Sequence, residues 1–277
     1  MNVLSLFDGK SCGRIALDRV GIHVDNYYAS EIDPYAVKVS NTNYPDIVQL
    51  GDVTQVSSAQ LPKIDLLLGG SPCQDFSRAG KGAAFDGDRG KLFWEFVRLL
   101  KETQPTHFLL ENVKMKQEYQ DVISEALGVQ PVLINSNIFV PQNRERLYWT
   151  NIPIAPLPDK TDTTLPDVLN KDREWFDIQP WALSKWGDKR KVDALRTVEH
   201  PEAFTITTNN THPKNHYLNA DRTQMTRLTP DELEMLQGVP EGYTAHVSNT
   251  RRHHMLGNGW TVDVIAHIFK GLHNDVC

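Results

Sequence analysis

The sequence predicts an α/β fold, a mostly parallel sheet with helices over both faces, and three observations carry that reading. Through the first 150 residues, short apolar runs of strand length alternate with segments of amphipathic helical spacing, as in chained βα units. The runs are apolar along most of their length, as befits strands covered on both sides. Chemically loaded residues recur where the runs end: Asp8, Glu31, Asp52, Cys73 and Glu111. In open α/β sheets, ligands bind outside the carboxyl ends of the strands, so one crevice could gather all five.

In chain order, Val3 to Phe7 is the first strand, and Ile15, Ala16 and Val20 mark a helix after the turn "GKSCG". Asn26 to Ser30 is the second strand, and Pro34 suits the first turn of the next helix. Val48 to Leu50 runs into "GDV", and Ile64 to Leu68 runs into the cysteine-bearing loop "GGSPCQDFSRAG". Helical spacing in "KLFWEFVRLLKE" is followed by the strand "HFLLEN" and the helix "EYQDVISEAL". From about Asn151 to residue 225 the pattern breaks into a stretch rich in Pro, Asp, Thr and Asn, which predicts a small second domain or large insertion, with "TITTNNTHPKNHY" as an exposed polar loop. Regularity returns at "RLTPDELEMLQG", where Thr229 and Glu232 form a capping box, Pro230 takes the first helical position and Gly238 ends the helix. A last helix is expected in "TVDVIAHIFKGLH". The division is thus 1–150 for the first part of the core, 151–225 for the variable region and 226–277 for the rest of the core.

The 277 residues are 40% apolar and 23% charged, and no apolar run approaches the eighteen or so needed to cross a bilayer. The opening "MNVLSLFDG" enters a strand directly, without a basic or long apolar leader, so a cytoplasmic protein without a membrane partner is expected. Three cysteines, Cys12, Cys73 and Cys277, are too dispersed for a disulfide framework or a zinc site, and no metal is expected. A net charge of −6 argues against wholesale polyanion binding. A local basic run, Lys185, Lys189, Arg190, Lys191 and Arg196, is by itself a solvated surface segment.

Gly9 and Gly13 allow a tight turn at a helix N-terminus, and Glu31 follows some twenty residues later, where an acid binds ribose hydroxyls. Together they favour an adenosine-containing cofactor, with Asp52 placed to accept from an adenine amino group. Cys73 follows a buried strand; flanking Gly69, Gly70, Ser71 and Pro72 make a core role unfavourable, and the glycine-rich stretch after it suits a lid. A thiol near Glu111, Arg144 and Arg146 suits attack on a ring that needs electron withdrawal.

The segments "LSLFDGKSCG", "ASEID", "GDV", "GGSPCQDFS", "FLLENV", "QNRERLYW", "RLTPDELEMLQGVP" and "LGNGWTVDVIAHI", in this order, make the chain similar to the DNA (cytosine-5)-methyltransferases, in particular the compact bacterial and phage enzymes and the catalytic domain of the animal de novo enzymes. The resemblance implies a class I S-adenosylmethionine-dependent methyltransferase fold with a mostly parallel seven-stranded sheet and a small target-recognition region at 151–225. It implies that a flipped cytosine is attacked at C6 by Cys73, assisted at N3 by Glu111 and held on its O2 side by Arg146 with Arg144. Phe7, Asp8, Gly9, Lys10, Glu31, Ile32, Asp52, Val53, Pro72, Asn258 and Trp260 fall on or beside cofactor-contacting positions. Arg78 and the run Lys185, Lys189, Arg190 and Lys191 become candidates for DNA contact. DNA is the implied partner, in a bacterial or phage-infected cytoplasm, and homodimerisation is left open.

Lys10 departs from the family pattern, which has an apolar residue there. At about 5 Å and an effective dielectric near 20, its ammonium would repel a sulfonium by about 3 kcal/mol. In one reading Lys10 points to solvent, pairs with Asp75 or Asp33, or meets a DNA phosphate. In the other, Lys10 with Arg78 binds a carboxylate on the transferred carbon, as in carboxy-S-adenosylmethionine, and the product carries a carboxymethyl group. Two further alternatives are an RNA methyltransferase, disfavoured because Ser71 replaces the first proline of Pro-Pro-Cys, and a non-catalytic DNA-binding homologue, disfavoured because Pro-Cys and Glu-Asn-Val are both retained.

Overall fold

The computed structural model describes residues 1–70, 90–178, 195–209 and 211–275. Its contacts divide the chain into two compact units: Met1–Asn135 with Glu145–Pro156 and Val264–Cys277, and Ser136–Arg144 with Leu157–Asp263.

Among the described residues, the first unit holds a seven-stranded sheet in the order β3-β2-β1-β4-β5-β7-β6. The strands are β1 (Asn2–Leu6), β2 (Asn26–Ser30), β3 (Val48–Gln49), β4 (Leu66–Gly69), β5 (His107–Val113), β6 (Val132–Asn135) and β7 (Glu145–Thr150). The first five run parallel, and β7 lies antiparallel between β5 and β6. This is the expected fold class: α/β, mostly parallel and seven-stranded. Strand order reverses between β1 and β4, and that switch point is where a crevice opens at the carboxyl ends of parallel strands.

The connecting helices are α1 (Cys12–Arg19), α2 (Pro34–Asn43), α3 (Lys91–Thr103) and α4 (Gln117–Leu127). Asp33 caps α2 by accepting from the Tyr35 N–H at 2.9 Å, and Pro34 occupies the first turn as the sequence predicts. The α3 face Phe93, Phe96, Val97 and Leu99 is buried with Leu4, Leu6, Ile64, Leu67 and Trp149 in one core. Each such side chain contributes roughly 1.5–3 kcal/mol when fully withdrawn from water. Gly69, which closes β4 just before the cysteine loop, is required by packing: a Cβ there would lie 2.6 Å from the Phe96 ring. The strands at 132–135 and 145–150 have no counterpart in the hydrophobic pattern, because edge strand β6 leaves Val132 and Leu133 exposed and β7 begins with two charged residues.

The second unit contains a three-stranded antiparallel sheet, β8 (Phe176–Asp177), β10 (Gln224–Arg227) and β9 (His216–Leu218), in that order. It also contains α5 (Leu165–Val168), α6 (Pro230–Leu236) and α7 (Asn249–Asn258), while α8 (Val262–Phe269) belongs to the first unit from Val264 onward. The capping box of α6 forms as expected: Glu232 Oε2 accepts from the Thr229 N–H at 2.8 Å, and Thr229 Oγ1 accepts from the Glu232 N–H at 3.3 Å. The same Glu232 pairs with Arg173, and buried Glu234 accepts from the N–H groups of Gly242 and Thr244 and pairs with Arg252. These bonds tie α6 and α7 to the variable region. The second compact unit extends to Asp263.

Two expectations for this unit are corrected. The stretch "TITTNNTHPKNHY" is not an exposed loop throughout: Ile206, Asn215, His216 and Tyr217 are all buried. Its polar groups are satisfied internally. Asn215 donates to Thr207 Oγ1 and to the Asn209 carbonyl and accepts from the Thr207 N–H, so burial costs little. Helix α7 has no counterpart in the sequence pattern, because its first six residues, Asn-Thr-Arg-Arg-His-His, lack an apolar stripe and include weak helix formers.

Burial holds His216 and His253 down to about 4, and the positive charge of Arg227 adds to the effect in both. Depressed histidines take up protons more readily in the unfolded chain, so stability is full above about pH 6.5 and is lost as pH falls toward 4. Between pH 7 and 5 the pair should cost on the order of 2 kcal/mol after solvent screening, a few degrees in melting temperature. Melting curves across that range should show the drop, and His253→Asn should flatten it.

Candidate active site

The turn from β1 into α1 is held in a strained form. Phe7, Gly9 and Ser11 have φ of 56°, 61° and 63°, so three of five consecutive residues are left-handed and two of them are not glycine. The Asp8 N–H donates to the Ser30 carbonyl at 3.1 Å, the Ser11 N–H to the Asp8 carbonyl at 3.1 Å, and the Gly9 N–H to Glu31 Oε2 at 2.8 Å. Open space faces the position where a Gly9 Cβ would point. Gly13 lies buried inside α1 and is no part of the turn.

The Asp8 carboxyl turns inward. It accepts from Ser11 Oγ at 2.5 Å and from the Tyr27 hydroxyl at 2.7 Å. Burial, opposed by the hydrogen bonds from Ser11, Ser5 and Tyr27, pushes it up to about 6. Asp8 thus braces the turn from within, and its buried partners Ser11 and Tyr27 had no signal in the sequence, since hydroxyls in a helix start and a strand look ordinary. Ser11 continues the network to Ser40, with the two hydroxyl oxygens 2.6 Å apart.

Glu31 closes the neighbouring strand end. Its Oε1 accepts from the N–H groups of Ile32 and Asp33, both at 2.8 Å, so three backbone amides use a carboxylate with about four acceptor positions. Ile32 is 76% exposed, an apolar side chain left uncovered beside that carboxylate. On the adjacent β3 side, exposed Asp52 accepts at Oδ1 from the Thr54 N–H and hydroxyl, each at 2.9 Å. Val53 is buried, and Phe7 packs partly buried on the core. Strand order places the ends of β1, β2 and β3 side by side, so the open Gly9 turn, the Glu31 carboxylate, the bare Ile32 and Asp52 share one rim. That set fits a nucleoside: one face for an apolar ring, and acids for hydroxyl and amino groups.

Lys10 lies in the same turn and is 1% exposed. The reading in which it points to solvent is excluded: its side chain is held inside the fold.

The second cluster sits on β5 and β7. Antiparallel register sets Val113 opposite Arg146 and Glu111 opposite Tyr148, so Glu111 and Arg146 are diagonal neighbours on one face. Arg146 Nε meets Glu111 Oε1 at 2.9 Å, with both side chains mostly buried. A further guanidinium N–H of Arg146 donates to the Glu145 carbonyl at 2.8 Å. An arginine held in plane by a carboxylate and a carbonyl is oriented before any ligand arrives.

Arg144, two residues earlier, belongs to the second unit and faces a different set of groups. Its guanidinium donates to the carbonyls of Ile206, Gly257 and Gly259 at 3.4, 3.3 and 2.9 Å. It therefore fixes the backbone on either side of Asn258 and just before Trp260. Gln142, fully buried, adds to this frame by donating to the Leu236 carbonyl at 2.8 Å and accepting from the Ile206 N–H. Pro72, Cys73 and Arg78, and the basic run Lys185, Lys189, Arg190 and Lys191, lie outside the described residues. Among the described residues, no group of three or more His, Cys, Asp or Glu could hold a metal ion.

The chain matches the family model for C-5 cytosine-specific DNA methylase over residues 1–155 and 159–274. It is 35% identical over 246 residues to the orphan methyltransferase M.SPRI of Bacillus phage SPR, covering 80% of this chain and 53% of the relative. It is 31% identical over 292 residues to the type II methyltransferase M.NgoBI of Neisseria gonorrhoeae, covering 95% of this chain and 90% of the relative. The chain thus spans about half the length of the phage relative and nearly all of the neisserial one. Similar solved structures include the Entamoeba histolytica methyltransferase EhMeth, with TM-score 0.80, 17% identity and coverage of 100% and 99% of the two chains. Another is Dnmt2 of S. pombe, with TM-score 0.76, 19% identity and full coverage of both. At these identities the structures speak for the fold alone.

Proposed function

Because the chain belongs to the C-5 cytosine-specific DNA methylase family, we propose that it alkylates C5 of a cytosine extruded from DNA, with Cys73 as nucleophile. The observation that carries the reading is the Glu111–Arg146 pair, prearranged at 2.9 Å on neighbouring strands. Flipping is needed because C5 and C6 are shielded in a stacked duplex.

In this mechanism the Cys73 thiol adds across the ring: its sulfur bonds to C6 while its proton passes through Glu111 to N3, which accepts the displaced electron pair and leaves an enamine at C5. Arg146, held by Glu111 and the Glu145 carbonyl, donates to the O2 side of the ring and stabilises charge as the adduct forms. Arg144 acts as a positioning residue that fixes the segment carrying Asn258 and Trp260, rather than as a contact to the base. S-Adenosylmethionine, when bound, supplies an electrophilic methyl group on a sulfonium. Glu31, Ile32, Asp52 and the Phe7 to Lys10 turn would hold its adenosine and amino-acid parts, with Val53 supporting from the core and Pro72, Asn258 and Trp260 as further contacts. With the alkyl group on C5, a water takes the C5 proton, Glu111 recovers the N3 proton and returns it to the sulfur, and the C6–S bond breaks to restore the C5–C6 double bond and free Cys73. The phage and bacterial relatives fit a cytoplasmic setting, and no helix among the described residues is long and apolar enough to cross a membrane. An oligonucleotide carrying 5-fluorocytosine should be trapped covalently, because fluorine at C5 cannot leave as a cation; no denaturation-resistant complex would refute the covalent route.

The burial of Lys10 favours a second reading of the donor. Lys10 is buried in the turn that would hold the donor, where its side chain would pair with a carboxylate on the transferred carbon. A carboxylated donor would then place a carboxymethyl group on C5. Lys10→Met should shift preference toward the ordinary donor by roughly tenfold, worth about 1.4 kcal/mol. Competition between the two donors, read by product mass, checks this, and an unchanged ratio removes Lys10 from donor choice.

A further inference from the structure

The second unit contains an open pocket of about 330 Å³ lined by Thr208, Asn209, Thr250, Arg251 and His254. One wall is the loop at residues 207–209 and the other is the face of α7 that carries Thr250, Arg251 and His254. Both walls are built by internal bonds. Asn215 holds the loop through its donations to Thr207 Oγ1 at 2.9 Å and to the Asn209 carbonyl at 2.7 Å. The Asn209 side chain is itself occupied, accepting from the Thr211 N–H and hydroxyl. Helix α7 approaches that loop closely because residue 257 is glycine: a Cβ there would lie 2.6 Å from the Thr207 carbonyl carbon and oxygen. His253, on the buried side of α7, faces the Thr208 backbone across the same contact.

The ionisable side chains that line this pocket are basic. Arg251 and His254 line it. In the same unit, Lys214 acts electrostatically on His212, and Arg227 acts on His216 and His253. On the neighbouring helix α6, Asp231 and Glu234 are both engaged by Arg252. Ser248, the N-cap of α7, makes no side-chain cap, and the helix turns the positive end of its dipole to the same end. All five lining residues are exposed, so a polymer can reach them.

We propose that this pocket seats a backbone phosphate of the DNA substrate, with Arg251 supplying the charge and Thr208, Thr250 and His254 supplying hydrogen-bond donors. The inference rests on the DNA reading above and adds a contact outside both the basic run at 185–191 and the cytosine-handling groups. One arginine and a few hydroxyls are too little to retain a free phosphate ion, but suffice for one contact among many along a duplex. Such a contact positions the duplex without reading its sequence.

The test uses the full chain and fluorescein-labelled duplexes of two unrelated cytosine-containing sequences, with affinity measured by anisotropy at several salt concentrations. Arg251→Gln should weaken both duplexes equally, by roughly five- to tenfold, and reduce the slope of log affinity against log salt by about 1. Arg251→Lys should restore most of the slope, and S-adenosylmethionine affinity should stay within twofold, which shows that the fold is intact. Wild-type affinity and slope in Arg251→Gln overturn the pocket as a phosphate site. A wild-type protein that binds no duplex overturns both this proposal and the DNA reading beneath it.

Discussion

Cys73→Ser is expected to lower transfer to cytosine C5 on the order of 10⁴-fold or more while leaving duplex and donor binding nearly unchanged. The expectation follows from the chemistry of the base. C5 of cytosine is not nucleophilic until electron density is pushed into the ring, and only addition at C6 does that. A thiol has a usable thiolate fraction at neutral pH and high intrinsic nucleophilicity; a serine hydroxyl has neither without a base beside it. Since a nucleophile's loss is not made up by its neighbours, the remaining groups should give little residual rate. Single-turnover assays on one hemimodified duplex, with binding measured in parallel, separate loss of chemistry from loss of affinity. A Cys73→Ser protein within a hundredfold of wild type would exclude the covalent mechanism.

Glu111→Gln is expected to reduce the transfer rate about 10²- to 10³-fold with a much smaller effect on DNA affinity. Glutamine keeps an oxygen near Arg146 Nε, 2.9 Å away in the native pair, but has no proton to give N3 during addition. Arg146→Gln should act differently. It leaves Glu111 without its partner in a mostly buried position, which costs stability as well as activity, and it removes the donor on the O2 side of the ring. The two variants therefore separate proton transfer from orientation: Glu111→Gln should melt within a few degrees of wild type, and Arg146→Gln should melt earlier. Equal rate losses with equal loss of stability would mean that the pair only holds β5 and β7 together.

The α/β class and the rim residues were legible wherever a local rule governs the chain. Asn26–Ser30 as a strand, Pro34 at a helix start and the Thr229–Glu232 capping box all appear where hydrophobic runs and cap chemistry place them. Glu31 was legible as a strand-end acid, but not its use by three backbone amides, which depends on two segments that meet only in the fold. Arg144 and Arg146 look alike in "NRER", yet register sends Arg146 to Glu111 while Arg144 is spent on three carbonyls. The polar stretch 205–217 misled because side-chain amides and hydroxyls hydrogen-bonded to backbone are buried at little cost, and composition cannot distinguish them from groups facing water.

The central claim is a group placed on C5 of cytosine through Cys73, and nucleoside mass spectrometry of DNA incubated with the purified protein tests it most directly, with S-adenosylmethionine and carboxy-S-adenosylmethionine in parallel. The account predicts a C5-modified deoxycytidine that is absent with Cys73→Ser. 5-Methylcytosine from the ordinary donor identifies a methyltransferase, and preferred 5-carboxymethylcytosine identifies Lys10 with donor selection. DNA returned unmodified with both donors, from protein that binds the duplex, would contradict the account.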